Sequence, residues 1–333
     1  MACYRRKSLD EGNIVTAWNY QKGLQETGNG IYSYLQPDGS WGWSNSGLVT
    51  DGDQSLLVDT LFDAPLTREM LKVMEDATGI KADQINTVVN THANGDHTHG
   101  NGLCTHAEII ASEAGAKEME AFGPERLKVM MDAAPEMGET GEYFIEIFGA
   151  FNFNDVAEKL PTKTFSDQLL VTVGDKSVEL IEVGPAHTQG DILVFVDEDK
   201  TVFTGDILFI DGTPIMWAGP VSNWIKACDL IIERDPEVIV PGHGPITDIK
   251  GVERVKDYLS YVDREARIRY DAGMTPVEAA HDISLTDFDS WTDAERIVVN
   301  VDTLYREYAG DTSAPNTIEI FTLMAQINKS QRR

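Results

Sequence analysis

The first third of the chain alternates apolar and polar residues in short runs separated by turn signals. Alternation with a period of two is typical of half-buried strands, and the tripeptides PDG and DGD between the runs favour tight turns. The predicted strands are GIYSYLQ (30–36), WGWSNSGLVT (41–50) and QSLLVDT (54–60). A helical period follows over 65–79, with Pro65 near its start and Gly79 at its end. Its apolar face comprises Leu66, Met70, Val73 and Met74.

The rest of the chain repeats this change from strands to helices. INTVVNT (85–91) is a β-branched run typical of a buried strand, and AEIIAS (107–112) predicts another. Residues 113–160 are helical and rich in Met and Phe, and the later elements are strands over 164–205, a helix over 221–234, a strand in EVIVPGHG and helices over 248–310. Two strand-rich stretches, each followed by helices, predict an α/β fold of two stacked sheets with helices outside.

Length, charge and cysteine content restrict the classes of protein. The 333 residues suffice for one large α/β domain or two small ones, and no repeat or linker divides them. The 55 acidic and 27 basic residues give a net charge of −28, which argues against nucleic acid and anionic membranes as partners. Cys3, Cys104 and Cys228 are too few for a disulfide framework. Because no apolar run suits a signal peptide or a membrane span, we expect a cytoplasmic protein.

One Gly-rich loop, NTHANGDHTHGN (90–101), holds three of the seven histidines. It directly follows the predicted buried strand, and α/β folds place ligands at the carboxyl ends of strands. Zinc and related metals bind imidazole nitrogen or carboxylate oxygen at about 2.0–2.2 Å, usually from several chain segments. His92, Asp96 and His97 supply such groups, although a polar turn could use them only for hydrogen bonds to the backbone.

Three later junctions between a strand and a loop each add one strong metal ligand. His187 lies in GPAHTQGD, Asp206 ends FTGD, and His243 lies in VPGHG. A single histidine at such a junction is more often structural. Four junctions of this kind in one chain favour a shared metal site.

The combined motifs resemble the signature of the metallo-β-lactamase fold superfamily, in which His-x-His-x-Asp-His is followed by a distant His, then Gly-Asp, then Gly-His-Gly. The resemblance implies an αββα sandwich with the metal site between the sheet edges. It divides the chain into an N-terminal extension (1–29), a metallo-β-lactamase-like domain (30–250) with a helical lid insertion (113–160), and a C-terminal helical extension (251–333).

The resemblance also implies a role for each site residue by its position. Two histidines would bind a first metal ion, His92 and His187. A second ion would be bound by Asp96, His97 and His243. Asp206 would bridge both ions, and Asp191 would lie behind the ligands, where a carboxylate could orient a ligating imidazole.

The chain departs from the signature at Asn94, where the family has its second histidine. An amide oxygen is a weaker ligand than imidazole, and three arrangements are open. Two ions could lie roughly 3.5–4 Å apart, with Asn94 or water filling the gap. A single zinc could use the second set, with or without Asp206. A single iron could use His92, His187 and Asp206, as in the persulfide dioxygenases of this fold. His99 either replaces the missing imidazole, lies behind the ligands or faces solvent.

A metal ion in such a site would lower the pKa of bound water from about 15.7 towards 7 and polarise a substrate carbonyl. Asp96 and Asp206 are the candidate acid and base groups. Candidate substrate contacts, which could instead pack in the core, are Trp41 and Trp43 on a predicted hairpin tip and Met216 and Trp217 after Asp206.

The sequence therefore predicts a zinc-dependent hydrolase with one or two ions, iron or manganese being alternative metals. Its partner would be a small apolar or aromatic molecule with a lactone, ester or amide bond. The alternatives are a mononuclear non-haem iron oxygenase on the same fold and a ligand-binding protein with a degraded metal site. The C-terminal helices either cover the sandwich or form the face of a homo-oligomer.

Overall fold

The computed structural model describes residues 18–331. Residues 1–17 of the predicted N-terminal extension, with Cys3, and residues 332 and 333 of the predicted C-terminal extension lie outside the described residues. Residues 23–28 form a strand that pairs antiparallel with 31–35, so the first sheet begins before residue 30. Within the described part of the chain, no helix combines the length and the apolar character needed to cross a bilayer.

The first sheet contains seven strands that neighbour one another in chain order. The first four are antiparallel and the last four are parallel, the fourth belonging to both runs. The strands are β1 (Gly23–Gly28), β2 (Ile31–Leu35), β3 (Ser46–Asp51), β4 (Gln54–Val58), β5 (Thr87–Val89), β6 (Glu108–Ser112) and β7 (Lys163–Phe165).

The second sheet contains five strands in the order β12-β11-β10-β9-β8. All neighbours are antiparallel except β11 and β12. The strands are β8 (Gln168–Val173), β9 (Lys176–Glu182), β10 (Ile192–Val196), β11 (Thr201–Phe203) and β12 (Val238–Val240).

The helices form two outer layers and the insertion. They are α1 (Ala64–Thr78), α2 (Gly95–Thr98), α3 (Glu113–Ala121), α4 (Glu125–Ala133), α5 (Glu139–Phe148), α6 (Val221–Arg234), α7 (Ile249–Asp271), α8 (Pro276–Asp282), α9 (Ile297–Ala309) and α10 (Thr317–Gln331). The predicted α1 begins where the Asp63 side chain accepts the N–H of Leu66 and ends at Gly79, which adopts φ 79°.

Alternate residues of each central strand enter different apolar layers, because side chains along a strand point to opposite faces. In β10, Val194 and Val196 pack between the sheets, whereas Leu193 and Phe195 pack against the helices behind the second sheet. In the first sheet, Leu57 packs towards α1. Helices therefore cover both outer faces, and the predicted αββα sandwich is confirmed.

Candidate metal centre

Four loops converge at one edge of the sandwich. Strands β9 and β11 are both antiparallel to β10, and β12 is parallel to β11. These strands therefore end at the same edge of the second sheet, which brings the loops carrying His187, Asp206 and His243 together. The N–H of Ile192 donates to the carbonyl of Thr91 at 2.8 Å, which joins the loop after β5 to that edge.

The Asp206 carboxylate lies at the centre of this site. Its oxygens face four imidazole Nε2 atoms, those of His92 (3.7 Å), His97 (3.2 Å), His187 (3.3 Å) and His243 (3.5 Å). Asp96 Oδ2 lies 3.3 Å from His243 Nε2 and 3.8 Å from His97 Nε2. All six side chains are buried, and Asp96 is the most exposed at 8%. The structure therefore brings together all six residues that the resemblance assigns to the metals.

The six side chains divide into two groups that could each hold an ion. In each group the candidate ligand atoms all lie within 4.8 Å of one another. The first group consists of His92, His187 and Asp206, and the second consists of Asp96, His97 and His243. These groups contain the residues of the two predicted sets. Asp206, which the resemblance places between both ions, belongs to the first group and also faces His97 and His243 of the second.

Three of the imidazoles donate from Nδ1 to a fixed oxygen. The pairs are His97 with Asp59 Oδ2 (2.9 Å), His187 with the carbonyl of Ile215 (2.6 Å) and His243 with the carbonyl of Gly39 (3.0 Å). Carboxylate and carbonyl oxygens only accept hydrogen bonds, so Nδ1 carries the proton in each case. The Nε2 atoms are then free to offer a lone pair to a metal.

The fourth imidazole is oriented through a hydroxyl group. His92 Nδ1 lies 3.0 Å from Thr91 Oγ1, and this hydroxyl donates its one proton to Asp59 Oδ2 at 2.7 Å. The hydroxyl can therefore only accept from His92. All four imidazoles thus direct Nε2 towards the centre.

The donor set fits a divalent cation. Three buried atoms of the centre have no hydrogen-bond partner among the described residues: His92 Nε2, His97 Nε2 and Asp206 Oδ1. Buried polar atoms without partners are costly, and native proteins rarely retain them without a reason. Imidazole nitrogens and carboxylates around one point are the ligands of zinc and related ions. One cation in each of the two groups would give all three atoms a partner.

Burial and the mutual charges of the site determine the protonation of its groups. Burial lowers the pKa of His92 well below its usual value and also lowers that of His187. Burial opposes ionisation of Asp206, yet the facing imidazoles, His243 foremost, hold its pKa well below the usual range. Burial also opposes the charge on His243, but Asp206 and Asp96 raise its pKa to about 9. A bound metal ion takes the place of that proton.

Asp59 is a residue of the site that sequence reasoning missed. It follows β4 with φ 61° and is buried. Its Oδ2 contacts His97 and the Thr91 hydroxyl, and its Oδ1 accepts the N–H of Thr91 at 2.7 Å. One carboxylate therefore orients a histidine of each group. It is the second-to-last residue of the predicted strand QSLLVDT (54–60), so the strand-end signal used for the other loops was present here too.

We expect Asp59→Asn to weaken metal binding by about 10–100-fold, the usual effect of removing a partner behind a ligand. The amide has one acceptor oxygen, so it cannot accept from the Thr91 N–H and also from His97 and the Thr91 hydroxyl. Competition with a coloured chelator measures the affinity. Asp53→Asn, in the exposed turn between β3 and β4, is the control for the lost charge. Equal affinities for the two variants would contradict this role of Asp59.

Asn94 faces the first ligand group. Its Nδ2 atom lies 3.1 Å from His187 Nε2, and the side chain is half-buried at the start of α2. The amide thus gives His187 Nε2 a partner, unlike the Nε2 atoms of His92 and His97. Rotation of the amide about its last bond would bring the carbonyl oxygen to the same position.

His99 and Asp191 lie behind the loops. His99 does not face solvent: it is buried, its Nδ1 lies 3.3 Å from the Phe62 carbonyl, and it belongs to neither ligand group among the described residues. Burial lowers its pKa to about 4. The resemblance implies that Asp191 orients an imidazole. Its carboxylate instead accepts the backbone N–H of Thr188 at 3.0 Å and the Thr188 hydroxyl at 2.7 Å. It therefore fixes the loop next to His187, and burial raises its pKa to about 8.

The four predicted substrate contacts belong to an aromatic wall beside the centre. Trp43 packs on Phe151 at 4.8 Å between ring centroids, and Trp217 stacks on Phe321 at 6.1 Å. Trp41, which is 8% exposed, packs on Phe321 at 5.9 Å. Met216 is buried, which agrees with the alternative that this side chain packs in the core and does not contact the substrate. Phe321 on α10, which the sequence analysis did not single out, therefore joins the hairpin to the loop after Asp206.

Two hydrogen bonds attach this wall to the candidate ligands. The Ser44 hydroxyl, next to Trp43, donates to the carbonyl of Asp96 at 2.5 Å. The N–H of Trp217 donates to the carbonyl of His187 at 2.9 Å. The positions of the two half-buried tryptophans are thus coupled to the ligand loops.

Comparison with known proteins relates this geometry to a family. Residues 39–243 match the model of the metallo-beta-lactamase superfamily. A probable metallo-hydrolase, YqjP of Bacillus subtilis (strain 168), is 25% identical over 225 residues, which cover 61% of this chain and 68% of that protein. The acyl-coenzyme A thioesterase MBLAC2 of Gallus gallus is 24% identical over 131 residues, which cover 38% of this chain and 46% of that protein.

Solved structures show the same fold at lower identity. The inverting sec-alkylsulfatase Pisa1 from Pseudomonas sp. superposes with a TM-score of 0.66 at 17% identity, covering 89% of this chain. The chain spans only about half of that enzyme, 51% of its length. A metallo-beta-lactamase from Pontibacter korlensis superposes with a TM-score of 0.53 at 17% identity, covering 72% of this chain and 99% of that one.

Proposed function

Because the chain belongs to the metallo-beta-lactamase superfamily of metal-dependent hydrolases, we propose that it hydrolyses a lactone, ester, thioester or amide bond of a small apolar or aromatic molecule with the help of zinc. One observation carries the proposal: four imidazole Nε2 atoms and two carboxylates face one buried point, where three of their atoms have no other partner among the described residues. The thioesterase relative supports the inclusion of thioesters.

The residues would divide the work between two groups. The first ion would be held by His92 and His187, the second by Asp96, His97 and His243, and Asp206 would contact both. Ions in these positions supply a lowered water pKa and a polarised carbonyl. Asp59 and the backbone carbonyls of Ile215 and Gly39 keep the imidazoles oriented without reorganisation during the reaction.

Asp96 is the proposed proton carrier. Its side chain is 11% exposed, whereas that of Asp206 is 3% exposed and faces four imidazoles. Oδ2 of Asp96 is therefore the carboxylate atom better placed to accept a proton from water and return it to the leaving group. The buried Asp206 would stay ionised, because the facing imidazoles hold its pKa down.

The aromatic wall indicates where the substrate would lie. Trp43, Trp217 and Asn94 are half-buried and lie in or beside segments bonded to the ligand loops. Indole rings on both sides favour an apolar acyl or aromatic group over a phosphate or a sugar. We therefore place the scissile bond beside Asp96 and the apolar group between the two tryptophans.

Asn94→His should raise the affinity of the first ion site for zinc by about 10–100-fold. This is at least the change in affinity usual when a residue that orients a metal ligand is altered. The amide already faces His187, so an imidazole there would add a strong ligand. Titration of the metal-free protein with zinc measures both affinities. Asn86→His, at the edge of the first sheet by Ser55, is the control for an added imidazole. Unchanged stoichiometry and affinity would show that residue 94 does not act on the metal.

The proposed function is tested with a panel of lactones, esters, thioesters, amides and β-lactams. The protein is assayed after removal of metal and again after addition of zinc, manganese or iron, with oxygen uptake recorded. We expect hydrolysis that disappears on chelation and returns with zinc. Hydrolysis that survives verified metal removal would contradict the proposal, as would turnover that requires oxygen. Tight binding without turnover in any metal state would identify a binding protein.

A further inference from the structure

A cavity lies outside the candidate metal centre. It has a volume of about 790 Å³ and lies between the hairpin 38–43, α8, the segment 283–297 and the end of α10. This is the size of a small-molecule site, for which about 300–1,000 Å³ is usual. None of the six candidate metal ligands lines it.

The walls of this cavity combine indole rings with carboxylates. Three tryptophans line it, Trp41, Trp43 and Trp291, together with five acidic side chains. Among the described residues, no lysine or arginine belongs to the lining. Such walls suit a cation with an apolar body, because both the faces of indole rings and carboxylates attract positive charge.

Four of the five carboxylates, Glu295 among them, have polar partners. Asp293 accepts the Ser40 hydroxyl at 2.7 Å and lies 3.2 Å from Nη2 of Arg296. Asp38 accepts the Ser40 N–H at 3.2 Å, and Glu146 accepts the side-chain amide of Asn328 at 3.3 Å. The Ser40 and Asn328 donors are neutral, so these contacts hold the walls together without cancelling the carboxylate charges.

Glu295 is the most deeply buried of the five carboxylates. It is 5% exposed, and its Oε1 accepts both the Tyr143 hydroxyl at 2.7 Å and the Trp41 indole N–H at 3.4 Å. Burying a carboxylate is costly, and a cation in the cavity would lower the cost of burying its charge.

We propose that this cavity is a binding site for an organic ammonium ion with an apolar or aromatic body. The ammonium group contacts Glu295 Oε2, and the body lies against the indole of Trp43. Trp43 is half-buried, whereas one face of Trp41 is already covered by Arg296, whose guanidinium carbon lies 4.4 Å from that ring. The net charge of −28 raises the concentration of cations near the protein.

The site shares Trp43 with the proposed substrate position of the metal centre, although none of the six candidate metal ligands lines it. Asp38 and Ser40 line the cavity, and the carbonyl of Gly39 between them accepts His243 Nδ1. The ligand would therefore contact the segment that orients a candidate metal ligand. The inference concerns binding, and it stands whether or not the metal centre hydrolyses esters.

The test compares three probes of similar size on the full chain by isothermal titration calorimetry. The probes are phenethylammonium, neutral 2-phenylethanol and anionic 3-phenylpropionate. We expect phenethylammonium to bind about tenfold or more tightly than the alcohol, because a charged hydrogen bond and a cation–π contact are added. The acid should not bind. Equal affinity for the amine and the alcohol would overturn the proposal.

Glu295→Gln locates the charge that matters. Glutamine keeps an oxygen for Tyr143 and Trp41 while it removes the charge, and unchanged thermal unfolding shows that the fold is retained. We expect a loss of about tenfold in affinity for phenethylammonium and no change for 2-phenylethanol. Glu120→Gln, an exposed glutamate on α3, is the matched control and should bind as the wild type does.

A second variant keeps the test decisive if Glu295→Gln unfolds. Asp289 is exposed at the rim of the cavity, so Asp289→Asn should fold normally. We expect it to weaken phenethylammonium binding by roughly twofold to fivefold, as a rim charge does. Wild-type affinity in every folded variant at the cavity would overturn the assignment.

Discussion

Asp206→Asn should lose both ions and nearly all hydrolytic activity while keeping its fold. Asp206 is the one side chain that faces all four imidazoles, at 3.2–3.7 Å. Asparagine has the same shape but no negative charge. His92 and His187, the imidazoles of the first group, would therefore lose the carboxylate of that group. We expect a rate loss of about a thousandfold or more, beyond the 10–100-fold usual for residues behind the ligands.

Three measurements separate this effect from misfolding. Elemental analysis should find less than one ion per chain in Asp206→Asn. The metal-free variant should still unfold cooperatively, at a lower temperature than the metal-free wild type, because the facing imidazoles lose the carboxylate that pairs with them. The rise in melting temperature that zinc produces in the wild type should disappear. Asp83→Asn, at an exposed position, should behave as the wild type; full metal content in Asp206→Asn would show that Asp206 is not a ligand.

Gly242→Ala should disable the same centre by displacing Asp206. A β-carbon at residue 242 would overlap the Asp206 Oδ1 atom and the backbone of Gly205. The N–H of Gly242 donates to the carbonyl of Gly205 at 2.8 Å, so the backbone there cannot move away easily. We expect a destabilisation of about 1–3 kcal/mol, which is usual for overpacking, together with a loss of metal affinity.

Urea unfolding and zinc titration measure the two effects of Gly242→Ala separately. Gly123→Ala is the matched control, because its added methyl group would meet only Glu158 Oε1, at 3.4 Å. The control should change neither stability nor affinity by more than about 0.5 kcal/mol, the usual range for surface sites. Wild-type metal affinity in Gly242→Ala would mean that the Asp206 carboxylate has room to shift and still bind.

The sequence was sufficient to predict the layers and the convergence of the candidate ligands, because both depend on local signals. The period of two in β10 determines which of Val194 and Leu193 lies between the sheets. His187, Asp206 and His243 each follow a strand of the second sheet, so the pairing of those strands brings them to one edge.

Other features could not be predicted, because they depend on contacts between distant segments. Phe321 meets Trp41 across 280 positions of the chain, and Glu295 meets Trp41 across 254. The role of Asp191 was assigned by position in the motif, but its carboxylate turns to Thr188, three residues before it in the chain. Asp59 carried a readable signal and was overlooked, since it follows β4, outside the motifs.

The central claim is that four distant loops hold metal ions at one point, and diffraction locates such ions directly. Crystals of the zinc-loaded protein should be measured on both sides of the zinc absorption edge. We predict an anomalous peak at about 2.0–2.2 Å from the Nε2 atoms of His97 and His243, with Asp206 adjoining it. A zinc-loaded protein that hydrolyses its substrate, yet shows no peak among the six side chains, would contradict the account.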